Sequence, residues 1–137
     1  MMRRGWAAVA LAALLGAACA PTVRRVAWSA AGEASITLAP RERVSFEGER
    51  LEVRFDRVES DSRCPADVAC IQAGDATVGI TVLAADGSSK TYKLDTQRVQ
   101  SVVRAGATIS LEGLEPRPVS SRPTRPEEYR LTLRVRR

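Results

Sequence analysis

The chain contains no histidine. That removes the side chain most often used as a general base near neutral pH, and with it the commonest nitrogen ligand for a metal. Lysine is nearly absent: Lys90 and Lys93 are the only two, and both fall in a stretch that reads as an exposed strand, a poor setting for an activated nucleophile. Aromatic residues make up 4% of the sequence, too few for the stacking platforms that bind single-stranded nucleic acid. Acidic residues are plentiful enough for glycosidase-like chemistry, but no pattern pairs two of them across a cleft. The expectation is a protein with no catalytic residues, no cofactor and no dedicated metal centre.

The start of the chain is more telling. Arg3 and Arg4 form a positive region, Trp6 to Leu15 an apolar one, and small residues follow, the layout of a cleaved secretory signal peptide. A cut after Ala20 would leave Pro21 at the new terminus, where its locked φ and missing N–H suit an extended protease substrate poorly. A cut before Cys19 avoids this. Leu15-Gly16-Ala17-Ala18-Cys19 resembles the lipobox of bacterial lipoproteins, although its leucine stands one position further from the cysteine than in the commonest form. The resemblance implies that Cys19 is acylated on sulfur and holds the chain on a bilayer, with several acyl chains making the attachment durable. Ala20, rather than an aspartate, follows it, which implies the outer membrane facing the periplasm. The rival reading is an uncleaved anchor over 5–23, an uncharged run close to the length a membrane helix needs. Arg24-Arg25 beyond it oppose the orientation that Arg3-Arg4 would set, which weakens that rival.

The formal net charge is +5, and loss of Arg3 and Arg4 with the signal peptide lowers it by two. Basic and acidic residues alternate along the rest of the chain, and export separates it from nucleic acid, so nucleic acid is excluded as a partner. Arg134, Arg136 and Arg137 read as the solvated face of a strand. The expected division is a signal peptide over 1–18, a lipidated N-terminus and tether over 19–34, and one β domain over 35–137.

From Ser35 onward the hydrophobic period is two. Leu51, Val53 and Phe55 alternate with Glu52, Arg54 and Asp56; the same rhythm returns in Ala76, Val78, Ile80, Val82 and Ala84, and again in Leu131, Leu133 and Val135 against Arg130, Thr132, Arg134 and Arg136. Such segments bury one face and wet the other. Weaker alternations cover 36–38, 44–46, 91–94, 99–103 and 108–114. Asp86-Gly87 supplies tight-hairpin chemistry, and Gly48, Gly106 and Gly113 are read as further turns. The fold class expected is all-β: an antiparallel β-sandwich, or small barrel, of about seven to eight short strands. The segment Pro116–Glu128 holds Pro116, Pro118, Pro123 and Pro126. It cannot join a ladder, and reads as a long surface connection or as a partner-binding loop.

The stretch DSRCPADVACIQAGDA, Asp61 to Ala76, carries the remaining chemistry. With Cys19 acylated, Cys64 and Cys70 are the only thiols left, and in an oxidising envelope they are expected to join. Zinc would want more nitrogen or sulfur ligands than the chain offers, and a redox pair would be spaced C-x-x-C at a helix start. Calcium is the stronger rival, since Asp61, Asp67 and Asp75, with Glu59 nearby, offer hard oxygens. They do not follow the ladder of a dedicated calcium loop, and Arg63 lies among them. Asp61, Arg63, Asp67 and Asp75 are therefore candidates for ligand or partner contact.

The same residues carry a second resemblance. Asp61-Ser62-Arg63-Cys64-Pro65, then Val68, Cys70 and Ala73-Gly74, followed by Ala76, Val78 and Ile80, is similar to a pattern in small bacterial envelope proteins and lipoproteins of unknown function. It extends from about Leu38 to Arg136, including Tyr129-x-Leu-Thr-Leu, and implies a β-rich domain with a Cys64–Cys70 disulfide. Gln72 stands where that pattern commonly has tryptophan. The functional expectation is a lipid-anchored, non-catalytic binding or structural module of the cell envelope with an envelope protein as partner. The alternative is a domain binding calcium or a glycan at the acidic corner.

Overall fold

The computed structural model describes residues 23–137. The signal peptide over 1–18 and the lipidation site Cys19 lie outside the described residues. Nine strands follow in order: β1 Arg24–Val26, β2 Glu33–Leu38, β3 Arg43–Phe46, β4 Glu52–Asp61, β5 Ala76–Leu83, β6 Ser89–Asp95, β7 Ser101–Arg104, β8 Ala107–Glu115 and β9 Arg130–Arg136. They form a five-stranded sheet, β1-β3-β4-β5-β6, and a four-stranded sheet, β2-β9-β8-β7. The sheets face each other as a sandwich and do not close into a barrel. Among the described residues no helix is long and apolar enough to cross a membrane.

Alternation explains the layering. Val53, Phe55, Val78, Ile80, Val82 and Leu94 point inward from one sheet, and Ile36, Leu38, Ile109, Leu131, Leu133 and Val135 from the other, all in one core cluster. Each such side chain contributes about 1.5–3 kcal/mol of transfer free energy when fully buried. Among the described residues no polar or charged residue is buried with them.

Two expectations need correction. The domain begins at Arg24, not Ser35: β1 pairs with β3, the one parallel pairing in the sandwich. Val26 and Trp28 pack on the core, and the Trp28 ring stacks on Phe46 at 4.8 Å. The segment beyond Arg24 assigned to the tether is thus part of the fold, because it has apolar surface to bury. Gly113 is not in a turn either. It sits inside β8 where the register with β9 slips between Leu111 and Gly113, a bulge that leaves Glu112 as the extra residue.

Strand directions sort the connections onto two ends. One end holds tight turns: the Gly48 turn, the Asp86-Gly87 turn and the two-residue Ala105-Gly106 hairpin. The other end gathers the long connections, 62–75 and 116–129, with 39–42 and 96–100 beside them.

Candidate functional site

The site is built on the long-loop end, where β4 delivers the cysteine stretch. Two register shifts, between Phe55 and Arg57 and between Val58 and Ser60, twist the end of β4 out of the flat sheet. Pairing with the chain leading into β5 continues past the strand: Ser62 N donates to Asp75 O at 2.7 Å and Cys64 N to Ala73 O at 2.8 Å. The chains approach so closely that a Cβ on Gly74, whose φ is +63°, would lie 1.8 Å from Ser62 O. Only glycine fits there. Beyond this neck the loop is closed by Cys64 and Cys70, whose sulfurs lie at disulfide-bonding distance, 2.15 Å.

Asp61 and Arg63 form a two-pronged ion pair, Nε to Oδ1 at 2.8 Å and Nη2 to Oδ2 at 2.7 Å. Their side chains are only 8% and 13% exposed respectively. Arg63 also donates to the carbonyls of Leu114 and Pro116, and Tyr129 Oη donates to Asp61 at 3.0 Å. Burial opposes ionisation of Asp61, but the hydrogen bonds and charge of Arg63, with the Tyr129 hydroxyl, outweigh it and hold the carboxyl below its usual range. Burial first, and then the carboxylate of Asp61, push the Tyr129 phenol above its ordinary value.

The stapled loop then reaches across to the proline-rich segment. Asp67 accepts from Ser120 N at 2.8 Å and from the Ser120 hydroxyl. These bonds, the hydroxyl's foremost, lower the pKa of Asp67. Ala66 N donates to Pro118 O at 2.9 Å, and Arg117 donates to Cys64 O at 3.3 Å. The proline-rich segment is itself wound around Glu128, which accepts from Arg122 Nη1 at 2.8 Å and from Arg125 N at 2.9 Å. The Arg122 hydrogen bond, followed by the Arg125 amide, lowers the Glu128 pKa to about 2.

Between these segments and the end of β4 lies an open groove of about 860 Å³. Its walls include Pro40, Val58, Pro65, Val119, Pro126 and Tyr129, with Arg41 and Arg57 on the rim. Arg41 holds a positive φ of 68°, uncommon for a side chain of its size.

The candidates from the sequence are thus only partly brought together. Asp61 and Arg63 meet each other and are spent on clasping the fold. Asp67 faces Ser120. Asp75 sits apart, bonded to Ser62 and 3.6 Å from Arg98. Among the described residues no three acidic or cysteine side chains converge as a metal site. Ser120, Tyr129 and Arg41 were not foreseen. Tyr129 could have been, since it continues the inward phase of Leu131, Leu133 and Val135, whereas nothing local marks Ser120 as the partner of Asp67.

Chemically, the resolved shifts in this region all run away from neutrality: Asp61, Asp67 and Glu128 downward, Tyr129 upward. None of these groups is tuned to exchange a proton near neutral pH. No family model matches the chain, and no curated protein or solved structure matches it.

Proposed function

We propose that the chain is a lipid-anchored, non-catalytic binding module of the bacterial cell envelope, tethered through Cys19 to the periplasmic face of the outer membrane, with its long-loop end as the recognition surface. The observation that carries this reading is the clasp between the stapled loop and the proline-rich segment, 53 residues apart at Asp67 and Ser120. Loops held by a rigid sandwich are where such domains commonly carry binding. A groove whose walls are tied in place loses little conformational freedom on filling.

The size of the groove also favours a second reading, since it lies within the range of small-molecule pockets. Under that alternative a glycan suits the site better than calcium, because the acidic side chains are dispersed and already bonded.

The test is in-cell photo-crosslinking of the full chain, with a photoreactive residue replacing Val119 in the groove wall or Val103 at the opposite end. A recurrent envelope protein captured from Val119 and not from Val103 supports the first reading. Equal capture from both positions counts against the groove. No protein from either, with glycan binding abolished by Tyr129→Ala, transfers the site to the second reading.

A further inference from the structure

Strand β4 outruns its neighbour. Its pairing with β3 closes at Phe55, whose N–H donates to Glu42 O at 3.1 Å and whose carbonyl accepts from Arg41 N at 2.7 Å. β4 itself continues to Asp61. β3 cannot follow, because the chain reaches it from β2 of the other sheet through Pro40, which has no N–H, and Arg41, which turns at a φ of 68°. Among the described residues no backbone group of 56–61 bonds to anything but β5. A strand paired on one side only presents a row of free N–H and C=O groups on the other.

That row lies along the groove. The five consecutive residues 57–61 all line it. Successive side chains of a strand point to opposite faces, so a surface that touches all five runs along the strand's edge. The edge is about 17 Å long. The facing wall over 118–124 is interrupted by Pro118 and Pro123 and cannot supply the missing strand itself. The clasp at Asp67 and Ser120 holds that wall in place, so an incoming strand has no loop to order.

Charge selects among strands. Of the groove's charged lining residues, Arg57 pairs with Glu59 at 3.0 Å, Asp61 with Arg63 at 2.7 Å and Arg122 with Glu128 at 2.8 Å. Arg41 is exposed and forms no ion pair among the described residues. Asp67 also lacks a cation, but it does not line the groove and is turned to the Ser120 amide and hydroxyl. A carboxylate at the Arg41 end complements the site, with apolar side chains set against Val58, Val119 and Tyr129.

We propose that the groove takes an extended segment of a partner protein as an added strand on residues 57–61 of β4, with an acidic side chain of that segment at Arg41. This rests on the protein-partner reading above and names how the partner binds.

The probe is a random library of short linear peptides, panned on the purified mature protein. Enriched peptides are synthesised and their affinity measured by fluorescence anisotropy. They are expected to carry Asp or Glu beside an alternating apolar pattern. Methylating single peptide amides should weaken binding about tenfold at every second position and little at those between, because only alternate amides face β4. This series alters the peptide alone, so it does not depend on any variant folding. In the complex, exchange of the 57–61 amides that face away from β5 should slow about tenfold. Arg41→Glu should weaken binding about tenfold, and Val103→Glu at the opposite end should leave it unchanged. Peptides that bind without a two-residue phase, or without slowing exchange in 57–61, overturn strand addition. So does a library that yields no binder, while capture of an envelope protein from Val119 would still keep the protein-partner reading. Full affinity in Arg41→Glu overturns the acidic selection. A two-residue phase with no protein captured from Val119 in cells sustains the strand-accepting edge and overturns the envelope partner.

Discussion

The two ends of the sandwich solve the same problem, reversing the chain between strands, in opposite ways. At the tight-turn end each reversal is local: two positive-φ residues, Ala105 and Gly106, join β7 to β8, and Gly87 closes the β5–β6 turn through its bond to Ala84 O. At the long-loop end the reversals depend on each other, since Asp67 needs Ser120, Arg63 needs Leu114 and Pro116, and Tyr129 needs Asp61. A local turn can be exchanged with local consequences. A set of interlocked loops stands or falls together, and that is what a preformed recognition surface requires.

The largest test of that contrast is Arg63→Ala. It leaves the Asp61 carboxylate buried without its partner, a loss expected to cost about 2–4 kcal/mol in urea unfolding. The counterpart at the other end is Arg136→Ala, which removes an exposed pair with Glu33 and should cost under about 0.5 kcal/mol. Equal costs would erase the difference between the ends.

Next in size is Cys64→Ser/Cys70→Ser. A loop this short contributes about 2 kcal/mol through restriction of the unfolded chain. The sharper reading comes from amide exchange: protection should fall in 62–75 and also in 116–124, the segment it clasps, while the Ala105-Gly106 hairpin keeps its rate. Loss confined to 62–75 would mean that the loops are neighbours, not a unit.

This asymmetry also decides what could be read in advance. Eight strands announced themselves because alternation is a property of adjacent residues. β1 escaped because Arg24–Val26 is too short to show a period and two of its three residues are exposed. The bulge was legible in principle: Ile109 and Leu111 keep phase, but the next inward residue is Leu114, three further on, and that slip marks an inserted residue where Gly113 alone suggested a turn. At the site, the Cys64–Cys70 pair follows from having no other partner. The clasp does not, since Asp61 and Tyr129 are 68 residues apart, and sequence patterns carry no information on which surface loops meet.

Acid should separate the ends more gently. Glu128, with its pKa lowered to about 2, and Asp61, also lowered, favour the fold above the ordinary carboxylate range and lose that contribution as pH falls through their folded values. Exchange in 116–128 is therefore expected to speed up between about pH 4.5 and about pH 2, beyond the intrinsic pH dependence. The Ala105-Gly106 hairpin has no carboxylate to lose and should follow the intrinsic curve. Tyr129, raised by burial and by Asp61, acts with the opposite sign: its contribution holds below its ordinary pKa and is lost in alkali.

The smallest effect belongs to the tight-turn end and runs toward greater stability. Ala105 sits at φ +51° and Gly106 at +77°, the pattern of a two-residue hairpin in which asparagine or glycine is favoured at the first position. Alanine there has no side-chain amide to offset the left-handed conformation. Ala105→Asn should gain about 0.5 kcal/mol and raise Tm by a few degrees. Exchange in 62–75 and 116–128 should stay as it was, because a local turn has nothing to transmit. A change in those loops would show that the two ends are coupled through the core, and the proposed recognition surface would then depend on the whole sandwich and not on its own clasp.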